Sequence, residues 1–132
     1  MHVIRVQTER KTQLVDVSAD VRAAVAGSAG AVVTVFVPHT TAGVVLQAAG
    51  EGATKVASDL ESAFERLVDE GCDWEHTSEG DRNPWSHVRT ALTASSVTIP
   101  LVDGELGLSE LQAVFLCEFD GPRERQLHVV VH

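Results

Sequence analysis

The chain has 132 residues, a hydrophobic fraction of 44% and a formal net charge of −9. That length suits one core, the hydrophobic content excludes wholesale disorder, and an acidic surface repels nucleic-acid phosphates and anionic lipid, so neither is an expected partner. Tyrosine is absent and aromatics make up 5%, so the core is expected to be built mainly from Val, Leu, Ile and Ala.

The alternation of Ile4 and Val6 with Arg5 and Gln7 predicts a half-buried strand over 2–8. A second strand is expected at 13–17, as its hairpin partner across a polar turn. Ser18 is placed to cap a short helix over 19–26, with Val21 and Val25 on one face and Gly27 past its end. The valine-rich stretch 31–37 reads as a central strand covered on both faces. It runs into Phe36-Val37-Pro38-His39-Thr40-Thr41-Ala42-Gly43, where apolar sequence gives way to a polar corner.

A short strand is expected at 44–47 and a helix over 51–70. In that helix Val56, Leu60, Ala63, Phe64 and Leu67 make one stripe. Lys55, Glu61, Glu65, Arg66 and Asp69 lie off it and read as a solvated face. The stretch 72–83 has no periodicity and carries His76, Asp81 and Asn83. Asn83-Pro84 then has the form of a helix start, with the helix running to about residue 94. Trp85, Val88 and Leu92 share its expected core face, while His87 projects elsewhere. Strands are expected at 96–102, 113–119 and 127–131, separated by turns around Asp103-Gly104-Glu105 and Asp120-Gly121-Pro122-Arg123. The expected fold is α+β: a single domain over 1–132, with a mostly antiparallel sheet core and about three helices.

No window approaches the ~20 apolar residues of a membrane span, and the stretch 1–11 has no apolar run of a signal peptide. Cys72 and Cys117 form no CxxC pair and read as free thiols. A cytoplasmic protein is expected.

Three histidines stand out. Each of His39, His76 and His87 suits a plain structural or surface role, and each suits acid–base work near neutral pH. Converging from three elements, they could also ligate zinc, although no HExxH pattern accompanies them. Asp81 and Asn83 offer oxygen ligands to a hard cation such as magnesium, and Asn83 equally suits a helix cap. Thr40 and Thr41 either close the backbone of a turn or face a ligand. Arg123 and Arg125 could grip a phosphate.

Taken together, the segments carry a resemblance. The corner 36–43, His76, Asp81-x-Asn83-x-x-x-His87, Ile99-Pro100-Leu101, Gly104-x-Leu106 with Gln112, and Glu118-Phe119-Asp120-Gly121-Pro122-Arg123-x-Arg125 occur in this order. The ordered set resembles the YjbQ-like proteins, named secondary thiamine-phosphate synthases. The resemblance implies a β-sandwich-like α+β core, a homotrimer, and a pocket lined by His39, His76 and His87. It also implies a phosphorylated small-molecule substrate: a pyrimidine diphosphate joined to a thiazole phosphate with release of pyrophosphate. Two positions depart from the pattern. Ala48 stands where a carboxylate is usual, and Leu111 where a tryptophan is usual. A non-catalytic trimeric binding module with a degenerate site, or a hydrolase using metal-bound water on three histidines, are the alternatives.

Overall fold

The computed structural model describes residues 1–76 and 83–132. Its elements in chain order are β1 (His2–Gln7), β2 (Gln13–Asp16), α1 (Ser18–Val25), β3 (Val32–Phe36), β4 (Ala42–Ala48), α2 (Ala53–Leu67), α3 (Pro84–Ala91), β5 (Ser96–Val102), β6 (Glu105–Leu106), β7 (Gln112–Glu118) and β8 (Glu124–Val131). They form a five-stranded sheet, β1-β8-β3-β5-β6, and a three-stranded sheet, β2-β7-β4. Every pairing is antiparallel. The α+β expectation holds.

The near-continuous apolar run of β7 makes it the middle strand of the smaller sheet, covered on both faces. Val114 and Leu116 belong to the main core between the sheets, with Val33, Val35, Ile99, Leu127, Val129 and the α1 residues Val21 and Val25. Ala113, Phe115 and Cys117 face the other way, against Leu60 and Phe64 of α2. Side chains alternate across a strand, so a strand packed on both sides reads as unbroken hydrophobe. Cys117 is therefore a core thiol, and burial pushes its pKa up to about 12. Cys72 is free and exposed.

Several expectations are corrected. The strands at 2–8 and 13–17 are not a hairpin. β1 pairs with β8 and β2 with β7, so the chain crosses between sheets at the turn. β3 is central but covered on one face only, and Phe36 is 41% exposed on the other. Ser18 does not cap α1: it is the first helical residue, and its hydroxyl accepts the Val114 N–H at 2.8 Å. The carboxylate of Asp16 accepts the Ser18 N–H instead.

The helices bury polar groups that the stripes left outside. On α2, Glu61 is the buried residue and Leu67 is 77% exposed. Glu61 accepts the Leu14 N–H at 2.7 Å and a forked pair of bonds from Arg10, each 3.1 Å. A carboxylate thereby satisfies the edge of β2, which a leucine could not do. On α3 the buried residues are Pro84, Ser86 and Arg89, while Val88 and Leu92 are exposed. Ser86 donates to the Phe119 carbonyl at 2.6 Å. Arg89 donates to the Val68 carbonyl at 2.8 and 3.2 Å, just past the C-terminal end of α2. The helix docks on backbone carbonyls, so its inner face is polar.

One ion pair joins the two sheets. Arg125 of β8 and Glu118 of β7 are buried against each other, with Arg125 Nε at 2.9 and 3.1 Å from the two carboxylate oxygens and Nη2 on Oε2. Thr8 donates to Glu118 at 2.7 Å, and Arg125 reaches the Thr41 hydroxyl and carbonyl at 2.8 and 3.2 Å. Removing one member of a buried, hydrogen-bonded pair strands the other charge at about 3–5 kcal/mol. We expect Glu118→Ala to lower unfolding stability by about that much. A urea midpoint within error of the parent chain would contradict this role.

Candidate functional site

The polar corner after β3 is pinned from three sides. The Thr41 carbonyl accepts the Phe119 N–H at 3.1 Å, tying it to the end of β7. Arg125 holds the Thr41 side chain. The imidazole of His39 accepts the Gln126 N–H through Nε2 at 2.9 Å. A nitrogen that accepts a backbone N–H carries no proton, so a neutral ring must carry its proton on Nδ1. Burial, then the positive charge of Arg125, push the His39 pKa below its ordinary value, with Glu118 partly opposing. His39 is thus a neutral hydrogen-bond donor held in one tautomer.

Beyond the corner, the chain after α3 closes against β4. Val44 and Ala94 form a bridge, and the Ser95 carbonyl accepts the Val37 N–H at 2.8 Å. This close approach requires Gly43: a Cβ there would lie 2.0 Å from the Thr93 hydroxyl and 2.9 Å from the Ala94 carbonyl. A cleft of about 370 Å³ results, lined by His39, Thr40, His87, Thr90, Thr93 and Ser95 among others. Its described polar side chains are hydroxyls and imidazoles.

His87 has a second side. A broader cavity of about 750 Å³ is walled by His87 and His76, with Trp74, Asp73 and Glu75. The His76 and His87 rings meet edge to face, with centroids 5.2 Å apart at 67°. His87 is therefore common to both cavities, with His39 on one side and His76 on the other.

The other expected site residues are distributed as follows. Thr41 and Arg125 belong to the buried network around Glu118, and both are buried. Asn83 is buried at the start of α3 without a capping bond, and its amide donates to Asp120 at 2.7 Å. Its Oδ1 has no partner among the described residues. Arg123 is half exposed and bonds the same Asp120 carboxylate at 2.7 Å. Asp81 lies outside the described residues.

Among the described residues no three His, Cys, Asp or Glu side chains stand together as a metal set. A metal held by all three histidines through His39 Nε2 would have to displace the Gln126 N–H. The described residues therefore do not fit a three-histidine metal centre.

Sequence reasoning missed Trp74, Thr90, Thr93 and Ser95 as cavity residues, and Glu118 as the anchor of the corner. Only Glu118 had a signal of its own, as a lone carboxylate in an apolar strand. The two departures lie away from both histidine cavities. Ala48 and Gln112 pair across β4 and β7, at the opposite end of β4 from Ala42 and the corner. Leu111 is beside them and 76% exposed. The seven residues of β4 set its two ends roughly 20 Å apart.

Comparison with known proteins matches residues 2–132 to the family described as UPF0047 protein YjbQ-like. A UPF0047 protein of Methanothermobacter thermautotrophicus is 31% identical over 127 residues, covering 95% of this chain and 86% of the relative. The YugU protein of Bacillus subtilis is 28% identical, covering 98% and 96%. Among solved structures, a hypothetical protein from Aeropyrum pernix superposes with a TM-score of 0.90 at 31% identity, covering 99% of this chain and 96% of that one. An uncharacterized YjbQ/UPF0047 protein from Clostridium acetobutylicum gives 0.89 at 28% identity over the whole of both chains. The chain belongs to the YjbQ/UPF0047 family.

The tautomer and charge of His39 can be read directly. In a histidine-resolved NMR titration, its imidazole is expected to be an Nδ1–H neutral ring that gains a proton only below the ordinary 6.5. Because the folded pKa is depressed, the unfolded chain binds the extra proton first. The stability His39 contributes is then present above pH ~6.5 and is lost as pH falls through its folded pKa. A ring that protonates at or above its ordinary value would overturn this assignment.

Proposed function

We propose that this chain is a small-molecule transferase acting on phosphorylated heteroaromatic substrates. The reaction is the one the family resemblance implies: a pyrimidine diphosphate is joined to a thiazole phosphate. The carbon–oxygen bond to the diphosphate breaks, a carbon–nitrogen bond forms, and pyrophosphate leaves. The observation that carries the reading is the position of His87 between two cavities, with His39 and His76 on either side. A transferase must hold two reactants in line at one point, and a shared wall provides that geometry.

In this reading His39 donates from Nδ1 to an oxygen in which charge develops, as a fixed dipole rather than a base. Thr40 binds beside it. His76 and His87 exchange the proton that the departing group needs. Thr41 and Arg125 act behind the site by holding the corner, while Asn83, Asp120 and Arg123 form a bonded cluster at the start of α3. Asp81 is proposed as a site residue on the sequence pattern alone.

A homotrimer is part of the proposal. Val3, His128 and Phe36 align in one row across β1, β8 and β3 on the open face of the larger sheet. Val3 and Phe36 are 37% and 41% exposed there, a surface suited to a second copy. No helix among the described residues is long and apolar enough to cross a membrane. The free thiols suit a reducing cytoplasm.

Two measurements test this. Incubation with the two phosphorylated rings is expected to release pyrophosphate, and His87→Ala is expected to slow it by about 10²–10⁴-fold, the usual worth of a positioned acid or base. Saturable binding without turnover would favour the non-catalytic module. Light scattering at micromolar concentration is expected to report three copies of the 14.1 kDa chain, and a monomer would contradict the assembly.

A further inference from the structure

The cavity on the His76 side of His87 has a chemistry different from the cleft on the His39 side. Its wall combines the Trp74 indole, two imidazoles and the carboxylates of Asp73 and Glu75. Among the described residues that line it there is no lysine or arginine. Two described cations nearby are committed elsewhere: Lys11 bonds Glu70 at 2.9 Å and lies over the Trp85 ring, and Arg89 is buried on the Val68 carbonyl. Among the described residues Asp73 and Glu75 form no ion pair. Trp74 donates its indole N–H to the Glu70 carbonyl at 3.3 Å, so its polar edge is engaged and its ring is what remains for a ligand.

We propose that this cavity is a subsite for a planar heteroaromatic ring carrying positive charge, as the thiazole does once the new carbon–nitrogen bond makes its nitrogen quaternary. The inference deepens the transferase reading and rests on it for treating the cavity as a substrate site. Aromatic faces attract cations, tryptophan most strongly, and two carboxylates that form no ion pair among the described residues add a field of the same sense. A neutral ring would make no use of the carboxylates. A phosphoryl group would be repelled by them, which directs it across His87 to the hydroxyl-lined cleft of Thr40, Thr90, Thr93 and Ser95. The two cavities thus divide the substrates by charge, with ring and phosphate on opposite sides of one histidine.

Calorimetric titration of the intact chain with three simple rings tests the subsite: 1-methylpyridinium, benzyl alcohol and benzoate. The cation is expected to bind about three- to fivefold tighter than benzyl alcohol, and benzoate weakest. Trp74→Ala should weaken the cation and benzyl alcohol alike. The double variant Asp73→Asn, Glu75→Gln should remove the preference for the cation while leaving benzyl alcohol unchanged. Both carboxylates are exposed and Trp74 is half-buried, so these variants leave the core untouched. The proposal is overturned if benzyl alcohol or benzoate matches the cation, if no ring saturates, or if the double variant keeps the preference. Ring preference without pyrophosphate release would remove the transferase reading and leave the subsite standing. Pyrophosphate release without ring preference would do the reverse.

Discussion

The buried pair of Glu118 and Arg125 is the constraint on which the rest depends. It is the point where the two sheets are locked together, with one member from β7 and the other from β8. Its desolvation is unfavourable, and the bonds from Thr8 and to Thr41 offset that by leaving few lone pairs and protons unmet. The same network positions the corner. Thr41 is held by the arginine, and His39 is held by the backbone of the residue after it. The arginine's charge also helps keep His39 neutral. Stability and the placement of His39 share one set of atoms, so loss of the pair would act on both.

The division of the polar residues follows from this arrangement. Arginines that look free in a turn are committed: Arg125 to a buried carboxylate, Arg123 to Asp120. Among the described residues, hydroxyls and imidazoles face the cleft beside His39. Among the described residues, an indole and two carboxylates face the cavity beside His76. His87 sits where these two environments meet, which makes it the residue whose chemistry the account leans on most. The departures at Ala48 and Leu111 stand at the far end of the β4–β7 ladder, so within one chain they do not alter these walls.

The sequence was most readable where one force decided the outcome. β7 is buried on both faces, and its unbroken apolar run showed it. α3 began where Asn83-Pro84 placed it, because proline suits the first turn. Readability failed where backbone polar groups decided the packing. Glu61, Ser86 and Arg89 are turned inward by partners on distant strands and helix ends, and no periodicity within their own helices reports those partners. The pairing of β1 with β8 failed in the same way, since a polar turn after a strand does not say which sheet the next strand joins. For the site, the corner and the two downstream histidines were visible as residue types. Their convergence was implied by the family resemblance, but the division into two cavities on either side of His87 was not, because it depends on the Thr93–Ser95 segment closing on Gly43.

The central claim is that His87 is the common wall between a ring-binding cavity and a phosphate-binding cleft. A crystal structure of the chain with pyrophosphate and a thiazole phosphate tests it most directly. The account predicts ring density against Trp74 and His76, phosphate density beside Thr40 and His39, and His87 between them. Phosphate density beside Asp73 and Glu75, or ligand bound away from His87 altogether, would contradict it.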